Sequence, residues 1–164
     1  LLRRRAALDE TVALSTEAGS GESGAIVFEV EDLLVPAGTD WSTDGHVLGT
    51  VDVEAGQFVI GTFYLELEAL PQSDDEIGLA EWPTPGEAYN SNDFGVSLSA
   101  ANDSPVVRLW KTGNLVPATN MLLGGADDQS SPGSAGSVTV GLYSAGPTSE
   151  DITVVRARAS FLLL

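Results

Sequence analysis

Cysteine is absent from this 164-residue chain, which excludes a disulfide framework and a thiolate metal site and leaves stability to packing within the domain and between subunits. Lysine is almost absent too: Lys111 is the single example, and the seven cations in all face 24 acidic residues, for a formal charge of -17 at pH 7 and a pI near 4.1. A body so poor in cations repels phosphate backbones and anionic membrane surfaces, so neither nucleic acid nor membrane is expected as a partner. No apolar run approaches the ~20 residues that span a bilayer as a helix. The start of the chain, Leu1 to Leu8, carries the cluster Arg3, Arg4 and Arg5 with no long apolar stretch behind it, unlike an intact signal peptide.

Catalytic signatures are missing as well. His46 is the only histidine, and no Gly-x-Ser-x-Gly elbow exists to supply a strained nucleophile beside it. Neither a Gly-x-x-x-x-Gly-Lys loop nor a Gly-x-Gly-x-x-Gly fingerprint occurs, so nucleotide chemistry is not indicated. Among 24 acids some pair meets any carboxylate spacing by chance, which leaves a glycosidase reading without a specific signal. Asp74, Asp75 and Glu76, or Asp127 and Asp128, offer hard oxygen ligands, but the spaced calcium loop is missing and solvated corners are the simpler reading. The chain is therefore read as non-enzymatic, with no cofactor implied.

What is present is alternation. Ile26, Phe28 and Val30 alternate with Val27, Glu29 and Glu31; Val47, Gly49, Val51 and Val53 with Leu48, Thr50 and Asp52; and Val59, Phe63, Leu65 and Leu67 with Thr62, Tyr64, Glu66 and Glu68. Period two predicts half-buried strands. Further strands are predicted at Phe94 to Leu98, Val106 to Trp110, Met121 to Leu123, Ser137 to Ser144 and Ile152 to Leu163. In the last of these, Val155, Ala157, Ala159, Phe161 and Leu163 are assigned to one face and Val154, Arg156, Arg158 and Ser160 to the other. Gln72 to Glu76 read as an exposed corner, and Trp82 to Gly86 forbids a continuing central strand because proline cannot donate to a ladder, so this region is read as loop-rich. About eight strands with no helix in the body predict an all-β, antiparallel β-sandwich of jelly-roll type, with an immunoglobulin-like sandwich as the alternative.

The expected organisation is an N-terminal arm and linker, 1–23, ahead of one β-sandwich domain, 24–164. Arg3, Arg4 and Arg5 are suited to grip an acidic neighbour. Arg156 and Arg158, two residues apart on a polar face, should seek carboxylates within the sheet or on the next subunit. Phe161, Leu162 and Leu164 belong to a terminus that is apolar on both faces, which points to a subunit interface. Trp41, Trp82 and Tyr89 fall in predicted loops, where a ring can stack on a sugar or fill a partner's pocket.

A basic arm, a Gly/Ser linker, an acidic body and the closing run Ile152-Thr153-Val154-Val155-Arg156-Ala157-Arg158-Ala159-Ser160-Phe161-Leu162-Leu163 together resemble the small jelly-roll virion proteins of tailed viruses. The near-absence of lysine makes those infecting halophilic archaea the nearest comparison. The resemblance implies a capsid decoration protein, turret, spike or tail component, located in the virion, assembling as a trimer or pentamer and contacting a major capsid protein. It implies no catalytic residue. The alternative is a carbohydrate-binding or adhesive module, extracellular or at a cell surface.

Overall fold

The strictest alternation in the sequence becomes a central strand of the fold. In a computed structural model, which describes residues 24–72, 74–82, 94–115, 122–123 and 133–164 (of Trp82 only the backbone), Val59, Phe63, Leu65 and Leu67 of strand β3 (Val59–Leu67) are buried. Ile60, Thr62, Tyr64 and Glu66 turn to the opposite face. Residues 1–23, the Trp82 side chain, Tyr89, Asp127 and Asp128 lie outside the described residues.

The remaining strands are β1 (Ile26–Val35), β2 (His46–Val53), β4 (Glu76–Trp82), β5 (Gly95–Ser99), β6 (Val106–Gly113), β7 (Gly136–Ser144) and β8 (Ile152–Leu163). Two antiparallel four-stranded sheets form, in the orders β1-β8-β3-β6 and β2-β7-β4-β5. The pairs β1·β8, β2·β7, β3·β6 and β4·β5 nest like one long hairpin wrapped around itself, which is the jelly roll the sequence suggested.

The core lies between the sheets. Phe161 of β8 meets Phe28 of β1 and Phe63 of β3 at ring-centroid distances of 6.3 and 5.8 Å, and Phe63 meets Phe94 edge-on at 5.6 Å. Each buried Phe or Leu of this kind contributes about 1.5–3 kcal/mol. Gly49 on β2 lets the sheets close: a Cβ there would sit 2.2 Å from Cε1 of Phe28.

Three expectations are corrected. Residues 76 to 82 are not loop but the inner strand β4, paired with both β5 and β7, because Pro83 stands just past its end. Leu122 and Leu123 are buried but belong to no strand. Val154 faces the core with no exposure, opposite to its assignment. The inward set of β8 runs Ile152, Val154, then Ala157, Ala159 and Phe161, and that of β1 runs Phe28, Val30, then Leu33 and Val35. Both strands change parity at one level, where Asp32 takes a positive φ of 53° and the β3·β8 register shifts between Glu66 and Leu67. A bulge of this type re-aims every residue beyond it.

Candidate interaction surface

Alternation and register together assemble the outer face of the β1-β8-β3-β6 sheet into rows. Glu31, Arg156, Glu66 and Val106 form one row; Glu29, Arg158, Tyr64 and Arg108 the next; Val27, Ser160, Thr62 and Trp110 a third. Leu162, Ile60 and Thr112 follow, and the Phe58–Leu164 pair, joined by backbone bonds of 3.2 and 2.8 Å, closes the face.

The first two rows are ionic. Arg156 Nη2 donates to Glu29 Oε1 at 2.7 Å, its Nε lies 3.5 Å from Glu31, and Arg158 Nε lies 3.4 Å from Glu29 Oε2. The carboxylates that Arg156 and Arg158 were expected to seek are thus on the neighbouring strand of their own sheet. Such half-exposed pairs contribute little individually, about 0–1 kcal/mol, and their main effect is to neutralise. Tyr64 donates its hydroxyl to Glu66 at 2.6 Å, which raises the phenol pKa by favouring the protonated form, and the Arg108 guanidinium sits 5.3 Å from the Tyr64 ring centroid. Thr62, Tyr64, Arg108, Arg156, Arg158 and Ser160 line a shallow depression of about 270 Å³.

The charge count sets this face apart. The described residues hold sixteen carboxylates and four cations, and the face carries three of those cations, Arg108, Arg156 and Arg158, against three carboxylates, Glu29, Glu31 and Glu66. Thirteen carboxylates against Lys111 are left for the rest of the described chain. The other end of the face is apolar: Trp110 is 69% exposed, Leu164 61% and Phe58 39%, beside the half-buried Ile60 and Leu162. Exposed apolar side chains gathered on a near-neutral face make it a candidate contact surface.

The other candidates are placed differently. Phe161 is wholly buried in the domain's own core and has no surface to offer a second subunit. Trp41 is partly buried and stacks on His46 at 5.2 Å, while burial lowers the His46 pKa. Asp75 accepts both the amide and the hydroxyl of Ser149 at 2.8 Å, and Glu76 accepts the Tyr143 hydroxyl at 3.2 Å. Among the described residues, no three metal-ligating side chains gather at one place. Arg108, Trp110, Tyr64, Ile60 and Phe58 escaped the sequence reading. Their signal was parity on β3 and β6, but only the strand register joins them to Arg158 and Leu162.

No protein-family model matches this sequence, and no curated protein is similar to it. Among solved structures, a chain of the T13 IBDV viral particle is similar with a TM-score of 0.41 and 6% sequence identity, over 85% of this chain and 31% of that one. The chain thus spans about a third of that neighbour's length.

Proposed function

We propose that the chain is a non-enzymatic structural protein of a virion, which decorates or stabilises a capsid by assembling with copies of itself around a rotational axis. The observation that carries this reading is the outer face of the β1-β8-β3-β6 sheet, charge-balanced at one end and apolar at the other in a chain of formal charge -17. Acidic bodies repel one another, so copies approach at lowest electrostatic cost where carboxylates are already neutralised. The sequence resemblance to small jelly-roll virion proteins supplies the virion setting and supports a trimer or pentamer. The scarcity of lysine and the acid excess support a halophilic origin. The non-enzymatic reading follows from the lack of a nucleophile elbow, a phosphate loop or a second histidine.

Immunogold labelling of particles purified from the source, with antibody raised against the domain, tests the setting. Labelled particles support the reading; label confined to cell surfaces overturns it.

A carbohydrate-binding module is the second reading, favoured by one observation. Trp110 stands exposed beside the hydroxyl-lined and arginine-lined depression, where its ring offers a stacking surface. Saturable quenching of tryptophan fluorescence by a sugar, lost in Trp110→Ala, would favour it.

A further inference from the structure

An open antiparallel sheet has two edges, each a row of unpaired backbone groups that natural proteins blunt with bulges, charges or short strands. Here β2 is interrupted by a register shift between Val47 and Gly49, and β5 has only 5 residues. Strand β1 bulges at Asp32 but pairs regularly with β8 from Ile26 to Glu31. Among the described residues, no bulge of this kind interrupts strand β6. Its register against β3 runs without interruption from Val106 to Gly113, it holds neither proline nor carboxylate, and Val106, Leu109 and Trp110 are exposed along it.

The two edges of this sheet are complementary in charge. Strand β6 carries Arg108 and Lys111 and no acid; β1 carries Glu29, Glu31 and Asp32 and no cation. Among the described residues, no carboxylate lies within ion-pair distance of Arg108. Three antiparallel pairings separate β1 from β6, so the two strands run in opposite directions and a laterally repeated sheet stays antiparallel throughout. With four strands, hydrogen-bonded and non-hydrogen-bonded pairs are also in phase at the two edges.

We infer that the β6 edge of one copy docks on the β1 edge of a second copy, head to tail, so that the sheet continues from subunit to subunit. The inference rests on the assembly reading above and names its contact. Continuing the rows without offset sets Arg108 beside the partner's Glu29, Trp110 beside the partner's Val27 and Val106 beside the partner's Glu31. The first is an ion pair that like edges cannot make, since two β6 strands would oppose cation to cation. A contact between two different edges is heterologous, and a rotation that closes it produces a ring. The outer face then lines that ring, with Phe58, Ile60, Leu162 and Leu164 turned to the axis.

Because the chain has no cysteine, disulfide trapping tests this directly. Paired residues on adjacent strands have Cα atoms about 4.5–5.5 Å apart, within the range a disulfide bridges. The full chain carrying both Glu31→Cys and Val106→Cys should give, on oxidation in molar salt, a ladder of covalent multimers ending at the ring. Each single variant alone should stay uncross-linked, and an equal mixture of the two should stop at the covalent dimer. Cross-linking of Val106→Cys alone would show two-fold β6–β6 pairing and overturn the inference, as would no cross-linking in the double variant. Arg108→Glu is the second arm: it should at least halve the mass by light scattering while circular dichroism stays strand-like, and an unchanged mass would overturn the inference. A multimer that persists without the ladder would sink this contact and leave the assembly reading standing; a ladder from a protein absent from particles would do the reverse.

Discussion

The carboxylate of Glu81 accepts the amide N–H of Leu122 at 3.1 Å from a position with no exposure to solvent. The same oxygen accepts the Leu123 amide at 3.2 Å, while Oε1 has no partner among the described residues. Burial pushes the Glu81 pKa up to about 8, against the opposing pull of the two amides and the charge of Lys111. A carboxyl whose folded pKa exceeds its unfolded value of 4.5 gives stability that is fully present below about pH 4.5 and is lost as pH rises through 8. At about 1.4 kcal/mol per unit, the swing is on the order of 5 kcal/mol. Urea unfolding at pH 5, 7 and 9 in fixed molar salt should show the native chain weakening with pH and Glu81→Gln lacking that slope. General charge repulsion also grows with pH, but it is common to both proteins, so parallel profiles would refute the assignment.

Gly49 supports a second prediction. A methyl group at this position would drive Phe28 out of the space between the sheets, since its Cβ would meet the ring at 2.2 Å. Gly49→Ala should destabilise the fold by about 1–3 kcal/mol, the usual cost of overpacking. Its oligomeric mass in molar salt should not change, because the contact is internal. Chemical denaturation and light scattering check the two halves separately.

The sandwich was legible because β1, β2, β3 and β8 alternate, and alternation is a local property. Strand β4 was not: Gly78 lowers strand propensity, Glu81 is a charge at a core position, and two prolines follow at 83 and 85. The face change at Asp32 and Val154 was hidden because the bulge depends on one residue's backbone angle, which no pattern of apolar positions encodes. Half of the candidate surface could be read directly, namely Arg156, Arg158, Leu162 and Leu164. Its other half lies on strands 50 to 100 residues away in sequence, and only the ladder pairs Tyr64 with Arg108 and Arg158.

Salt provides a third prediction. Outside the neutral face, and leaving aside the buried Glu81, the described chain sets Lys111 against twelve carboxylates, so self-repulsion loosens the domain when it is not screened. The screening length falls from about 30 Å at 0.01 M to about 3 Å at 1 M salt. The melting temperature should therefore climb steeply between dilute and molar KCl. A flat profile would remove the support for a halophilic origin.

The final prediction concerns Leu162 and Leu164, which alternate with Phe161 and Leu163 and so face outward. Leu163 packs against the core, whereas Leu164 is 61% exposed beside Phe58, and Leu162 lies next to Ile60 on β3. In the isolated chain these two leucines hold little, because water already covers much of their surface; truncating them should cost each folded subunit less than about 1 kcal/mol. In an assembly that turns this face to a rotational axis they become buried, and a buried leucine is worth about 2–5 kcal/mol to whatever it holds together. Leu162→Ser with Leu164→Ser should thus lower the mass measured by light scattering in molar salt while leaving the unfolding midpoint of the dissociated subunit nearly unchanged. The contrast with Gly49→Ala is what makes the pair informative: one substitution weakens the fold and spares the assembly, the other spares the fold and weakens the assembly. A double variant that keeps its mass and melts earlier would assign both leucines to the core and take away the apolar half of the proposed contact surface.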